Sequence, residues 1–279
     1  MKLIEQSFEI LKQEDYSLKG IKKFIERCGR VCYKSEANIT NDSYIKFVDN
    51  LEKLHHDRPL EFGTVHLIVP KKEWLNILML LVSMKKLNCI WVKWNLVNGN
   101  QYVTLNYRYY TIINNLIDDI LVPYFTEENN EYFDKRYTVH MVLDRQIMDE
   151  FRTHITLSHL GESTRYCNYS KAKFGDEVTF IVPNWVNTHC PNNEHKGPSV
   201  ADIAWSDAMR DAETSYFLLL NEECKPQQAC KVLPLGTKSE LISCGFEDAW
   251  DNFFYRRCAP DAHPMAREIA TKIKEKIYE

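Results

Sequence analysis

The 279-residue sequence contains no CxxC pair, no Gly-rich phosphate loop, no HExxH and no GxSxG. Those absences remove the common NTPase, zinc-protease and serine-hydrolase readings, because each chemistry needs its motif to shape a phosphate cradle, a metal site or a nucleophile turn. Long apolar runs are missing too. The most apolar stretch, Trp74 to Met84, falls far short of the ~20 residues that cross a bilayer, so no membrane span is expected. The N-terminal MKLIEQSFEILKQED interrupts its apolar residues with acidic ones, unlike a secretory signal peptide. Positive charge is not in excess: 35 Lys and Arg stand against 39 Asp and Glu, for a net charge of −4. That balance argues against a nonspecific nucleic-acid binder, which needs a basic surface, but leaves room for a local basic pocket. A cytoplasmic protein is the expectation.

The nine cysteines are scattered and odd in number, and a cytoplasmic chain of this size has no need of disulfides. A zinc site at His189, Cys190 and His195 lacks a second Cys/His pair at ligand spacing, so no metal is expected. Most cysteines read as small buried hydrophobes.

Hydrophobic content of 44% and aromatic content of 12% belong to a globular chain. Alternation predicts a strand over Lys2 to Lys12, and apolar residues at helical spacing predict an amphipathic helix over Leu18 to Cys32. Asn41-Asp42-Ser43 looks like the cap of a helix reaching Leu54, and Pro59 bars a helix through HHDRPLEFG. A strand over Thr64 to Val69 leads to Lys72 to Lys86, the most apolar helix and therefore the expected central buried one. Ile90 to Val97 and Gln101 to Leu105 alternate on either side of Asn98-Gly99, a hairpin signature. Helix is expected over Tyr107 to Leu121, strand over Tyr137 to Leu143, and helix again over Arg145 to His154. Further strands are expected at Val178 to Val182 and Lys238 to Cys244, and NWVNTHCPNNEHKGPS reads as a surface loop. Helices are expected over Ala201 to Glu223, from Pro226, over Glu247 to Arg256 and over Ala262 to Tyr278. No repeat or composition break divides the chain, so the expectation is one α+β domain over residues 1–279, a mixed sheet flanked by helices.

One stretch stands apart. Arg152 to Ser170, RTHITLSHLGESTRYCNYS, has histidines, arginines and hydroxyls but little aliphatic bulk, poor material for a packed core. It reads as a binding surface, with His154, Ser158, Ser163, Arg165 and Tyr166 as candidates. Two other polar clusters are PQQACK, Pro226 to Lys231, and NFFYRRCAPDAHPMARE, with Arg256, Arg257, His263 and Arg267. Arginine forks match phosphate oxygens, which makes Arg165 with Arg257 a candidate anion clamp. Composition and spacing alone lead no further than a binder of small anions.

The segment ESTRYCNYSKAKFGDEVTFIVP, Glu162 to Pro183, closely resembles the nucleotide-binding segment of flavin-dependent thymidylate synthases. RVCYKSE at Arg30 to Glu36 resembles that family's N-terminal signature. LHHDRPLEF resembles GHESVLEH, VTLNYRYY resembles TTNYRVL, and Leu143 to Arg145 resembles CDRG. PQQACKVLP is similar to PQQARSVLP, and FFYRRCAPDAHPMARE to FFKLR…AHPQMRE, all in the same order. The resemblance implies a mixed sheet flanked by helices in a homotetramer with active sites at subunit interfaces. It implies transfer of a methylene from methylenetetrahydrofolate to C5 of dUMP and its reduction by FAD, which NADPH recharges. By position, Ser163 and Arg165, with Tyr166 beside them and Glu150 facing the nucleotide, would bind dUMP. Arg257 would lie by the uracil ring as the catalytic residue, and His154 and Asn252 would touch flavin.

The departures fall mainly on the flavin side. The family's RHR triplet reads Thr153-His154-Ile155, with Arg152 one place earlier. The LEH histidine is Phe62, the QQAR arginine is Cys230 followed by Lys231, and the Asn-x-Arg flavin contacts read Phe246 and Asp248. A hydrogen bond to a charged group contributes about 1.5–3 kcal/mol, so losing two arginines that face phosphates would cost roughly 3–6 kcal/mol, or about 10²–10⁴ in affinity. Two alternatives therefore stand beside the family activity. One is a relative that binds or modifies a pyrimidine nucleotide with altered or no flavin use. The other is a non-catalytic partner of an active homologue.

Overall fold

A computed structural model of the chain describes residues 1–83, 92–162, 169–170, 175–187 and 198–279. Its elements run β1 (Lys2–Ile4), β2 (Ser7–Leu11), α1 (Leu18–Tyr33), α2 (Ser43–Lys53), β3 (Thr64–Pro70), α3 (Lys71–Ser83), β4 (Val92–Val97), β5 (Asn100–Asn106) and α4 (Tyr107–Leu116). They continue through β6 (Phe125–Thr126), β7 (Arg136–Asp144), α5 (Arg145–Arg152), β8 (Ser158–Gly161), β9 (Thr179–Ile181) and α6 (Val200–Asn221). The remainder is α7 (Pro226–Ala229), β10 (Lys238–Phe246), α8 (Glu247–Arg257) and α9 (Pro264–Tyr278). The architecture is the expected mixture of sheets flanked by helices.

Two antiparallel four-stranded sheets carry it, in the orders β4-β5-β3-β6 and β2-β7-β10-β8, and β1 pairs with β9 in parallel. The N-terminal sheet folds around its hairpin. Asn98 and Gly99 both take positive φ, 50° and 81°, the conformation that joins twisted strands through two residues. The C-terminal sheet is centred on β7 and β10, paired from Asp144↔Lys238 to Arg136↔Phe246. Against it α5, α8 and α9 bury Ile147, Phe151, Trp250, Phe253 and Ile269. Helix α1 joins the two sheets. Its Ile21 and Ile25 belong to the core of the N-terminal sheet, while Phe24, Cys28 and Val31 pack with Leu160, Ile242 and Cys244 of β8 and β10.

Three expectations are corrected. Lys2 to Lys12 is two strands, because β1 pairs with β9 whereas β2 pairs with β7 in another sheet. The chain breaks at Glu5-Gln6, where Gln6 Nε2 donates to the Met265 carbonyl at 3.0 Å. Helix α3 is not the central buried helix. Ile77 and Leu81 are buried, but Leu75, Met79 and Val82 form an exposed apolar stripe at i, i+4 and i+7. A helix apolar on most sides gives no sign of which face is covered. Finally, the polar stretch after Arg152 contributes to the core: β8 lies at the edge of the C-terminal sheet, and Leu157, Ser158, His159 and Leu160 are all buried. Pairing and cross-strand hydrogen bonds satisfy polar groups that composition alone marks as unsuited to an interior.

Among the described residues, Cys28 and Cys244 are buried and Cys32, Cys224, Cys230 and Cys258 half-buried, and no helix is long and apolar enough to cross a membrane. The zinc candidates His189, Cys190 and His195 lie outside the described residues.

Candidate functional site

Helices α5 and α8 meet at their C-terminal ends, and there three of the candidates converge. Asp144 caps α5 by accepting from the Ile147 N–H at 2.7 Å, which fixes where the helix starts and so which residues close its last turn. Arg257 ends α8 and reaches across. Its Nε donates to His154 Nε2 at 2.8 Å and its Nη1 to Glu150 Oε2 at 2.9 Å. Its Nη2 donates to the Glu150 carbonyl at 2.8 Å and to Thr153 Oγ1 at 3.1 Å. A guanidinium has five N–H donors. Among the described residues four are therefore engaged, which leaves one N–H on Nη1.

His154 accepts at Nε2, so its proton sits on Nδ1 and the ring is neutral. The ring is 6% exposed and packs edge-on against Phe253 with centroids 4.9 Å apart. Burial, then the charge of Arg257 and the neighbouring His159 and Arg256, push its pKa down to about 4. Behind it His159 Nε2 donates to the His154 carbonyl at 2.9 Å, leaving Nδ1 to accept from Ser243 Oγ at 2.8 Å. Burial above all pushes His159 down to about 4 as well, with Arg152 and Arg58 adding to the effect. The pair is a neutral, hydrogen-bonded floor.

The segment LHHDRPLEF closes the other side. It forms a 3₁₀ turn over Arg58–Phe62, with Pro59 in its first turn where no donor is needed. Ser158 Oγ donates to Glu61 Oε2 at 2.6 Å, tying the turn to β8. Arg108 of α4 bridges Glu61 Oε1 at 2.6 Å and Asp57 Oδ2 at 3.1 Å. Arg136 donates to the carbonyls of Glu61 and Gly63. These bonds hold Arg58 beside Arg152, and with Asp149, Thr153 and His159 the two arginines line a cleft of about 490 Å³.

A third group lies under the start of the expected nucleotide segment. Lys238 Nζ contacts Glu162 Oε2 at 3.1 Å and also Glu240. Lys34 contacts Glu240 and lies 3.9 Å from Glu162, and His140 Nε2 is 2.9 Å from Glu240 Oε2. Burial would raise the Glu240 carboxyl, but the His140 hydrogen bond and the two ammonium charges override it and hold it well below the usual range. Burial likewise opposes the charge on Lys238, and Glu162 and Glu240 more than compensate, so its pKa is raised.

Of the expected site residues, Glu150, His154 and Arg257 are thus assembled. Ser163, Arg165 and Tyr166 lie outside the described residues, directly after buried Glu162. Asn252 is exposed on α8, four residues before Arg256 and so on that residue's face rather than that of Arg257. The substituted positions are informative. Phe62 is wholly buried in the core beneath α1. Ile155 is 85% exposed, and Asp248 pairs with Lys93 at 2.7 Å. Cys230 is half-buried and its thiol donates to the Gln227 carbonyl at 3.3 Å. Sequence reading missed Arg58, His159, Glu61 and the Lys34–Glu162–Lys238–Glu240–His140 group. Lys238 and Glu240, at i and i+2 in a strand whose other residues are uncharged, were the available signal for that group, because alternation puts both on one face.

Comparison with curated protein sequences returns no match. Among solved structures the chain is similar to a UMP/dUMP methylase, PolB, from Streptomyces cacaoi. The form bound with 5-Br UMP aligns at 16% identity and a TM-score of 0.44, covering 99% of this chain and 91% of that one. The form bound with 5-Br dUMP aligns at 15% identity and a TM-score of 0.44, covering 99% and 92%. The Thy1 family, described as thymidylate synthase complementing protein, matches residues 134–279, which include Glu150, His154, Ser163, Arg165 and Arg257. With more than half its length matched, the chain belongs to the thymidylate synthase complementing protein family.

Proposed function

We propose that the chain is a thymidylate synthase-type enzyme that methylates dUMP at C5, with methylenetetrahydrofolate as the one-carbon donor. The observation that carries this reading is the family match over residues 134–279, within which Arg257 is held by Glu150 of a second helix and by Thr153 and His154 that follow it. Uracil C5 becomes nucleophilic as negative charge develops on the ring oxygens, and a guanidinium fixed beforehand stabilises that charge without reorganising. Glu150 and His154 orient Arg257 for this role. Neutral His154 does so without adding a competing charge. Ser163, Arg165 and Tyr166 are assigned to binding the nucleotide, and buried Glu162 anchors the chain immediately before them. Asn252 is retained as a cofactor contact.

The two guanidiniums that line the cleft, Arg58 and Arg152, suit the anionic part of a dinucleotide such as FAD. Bound FAD would supply the hydride that turns the transferred methylene into methyl, with NADPH as its reductant. A specific observation favours a second reading, in which flavin use is altered or lost: the imidazole of His154 faces inward onto Arg257 and Phe253, not outward to a ligand.

Two measurements test these readings. The proposed enzyme releases tritium from C5-labelled dUMP when methylenetetrahydrofolate, FAD and NADPH are supplied, and a preparation showing no release with any reductant refutes it. The absorbance spectrum decides between the readings. A flavin band that persists through gel filtration supports the first, and a colourless protein that remains so after incubation with FAD supports the second.

A further inference from the structure

The cleft beside the Arg257 cluster has an unbalanced charge. Arg58 and Arg152 both line it together with the neutral His159, and among the described lining residues Asp149 is the one carboxylate. Asp149 meets Arg152 at 3.5 Å with both side chains more than half exposed, a pair of little strength. The carboxylates flanking Arg58 in sequence, Asp57 and Glu61, are both taken by Arg108. Among the described residues Arg58 itself makes no ion pair. Two guanidiniums held near each other without full compensation repel, and an anion bridging them removes that cost while matching their forked donors. The turn that holds Arg58 is rigid because Ser158, Arg108 and Arg136 all grip it.

We propose that Arg58 and Arg152 form a phosphate-binding site that takes over from the arginines missing at Thr153 and Ile155. The replacement comes partly from outside the residues matched to the family, since Arg58 lies N-terminal to residue 134. The ligand chemistry is a phosphate ester, and two sources share it: the monophosphate of dUMP and the diphosphate of FAD. This assignment rests on the proposed function for the identity of those sources, not for the existence of the site.

The test is isothermal titration of the full chain with inorganic pyrophosphate, dUMP and FAD, using wild type, Arg58→Ala, Arg152→Ala, Arg58→Lys and, as a distant control, Arg210→Ala. Arg58, Arg152 and Arg210 are exposed, so unchanged melting temperatures are expected. Loss of one charged hydrogen-bond donor weakens binding by about 10- to 150-fold. Each alanine variant should show that loss for pyrophosphate, Arg58→Lys a smaller one because it keeps charge but not the fork, and Arg210→Ala none. A parallel loss for dUMP alone identifies the monophosphate as the source, and one for FAD alone the diphosphate. Wild type that binds pyrophosphate, dUMP and FAD all with the same affinity as both alanine variants overturns the site while leaving the proposed function intact. Arg58-dependent pyrophosphate binding without dUMP binding keeps the site and overturns the function. Failure of all three ligands to bind wild type overturns both.

Discussion

Replacing Lys238 by Met removes one of two ammonium groups from a buried set in which Lys34 and Lys238 balance Glu162 and Glu240. The four side chains are 12%, 17%, 3% and 11% exposed, so the change removes one positive charge from beside two carboxylates held away from water. Breaking a buried pair by removing one partner costs about 3–5 kcal/mol. Lys34 still contacts Glu240 and lies 3.9 Å from Glu162, which places the expected loss at the lower end, about 3 kcal/mol. An unfolding entropy of ~2.1 cal/mol/K per residue gives roughly 0.6 kcal/mol/K for a chain of this length, so the melting temperature should fall by about 5 °C. The pH dependence has a definite sign. Glu240 is held below its unfolded value, so its contribution is complete above about pH 4.3 and fades as pH falls through the folded value. Without Lys238 that folded value rises, and the acid limb of the melting curve shifts to higher pH. Differential scanning calorimetry from pH 3 to 8 measures both effects. Glu240→Gln combined with Lys238→Met should recover part of the loss, since the double variant restores the balance of one ammonium to one carboxylate. A fall of less than 1 °C, or strictly additive losses in the double variant, would refute the reasoning.

Other expectations follow from the same geometry. Arg257→Ala should lower tritium release from C5-labelled dUMP by at least 10²-fold, and Arg257→Lys should restore little of it because an ammonium cannot make the four directed bonds; a lysine variant with near wild-type turnover would sink that role. Adding a Cβ at Gly245 brings it to 2.5 Å from Leu157 Cδ2, so Gly245→Ala should destabilise by about 1–3 kcal/mol, read as a lower urea midpoint. His66, His154 and His159 are each pushed to about 4, mainly by burial. The unfolded chain takes up their protons near pH 6.5, so stability should be full above that value and decline steadily as pH falls toward 4. A melting temperature that is flat over that window contradicts their neutral, buried state.

Much of the fold was legible because local chemistry and tertiary context agree. The stripe of Ile21, Phe24, Ile25, Cys28 and Val31 marks α1, Asn98-Gly99 marks the hairpin, and Pro226 opens α7. What stayed hidden depends on pairing between distant residues. Nothing in Lys2 to Lys12 says that its two halves join strands belonging to different sheets. Nothing in RTHITLSHLG announces a buried edge strand, because Ser243 and Glu61, which satisfy its polar groups, come from remote parts of the chain. The site divides the same way. His154 and Arg257 stood among the polar candidates and Glu150 entered through a resemblance, and the fold brings the three together. Arg58 was missed because the resemblance drew attention to absent arginines at fixed positions, whereas a charge can be supplied from any element that reaches the same cleft.

The bond from Ser158 to Glu61 has a consequence for how the chain moves. It joins β8 of the C-terminal sheet to the turn that leads into β3 of the N-terminal one, close to the cleft between Arg58 and Arg152. A ligand that bridges the two arginines pulls on the same joint, so its binding free energy is also free energy against separating the sheets. Amide hydrogens in both β3 and β8 should then exchange more slowly when the cleft is filled, though no ligand atom need touch either strand. Thermodynamic reciprocity adds the converse: loosening the joint with Ser158→Ala weakens the ligand by the same factor that the ligand would have tightened the joint.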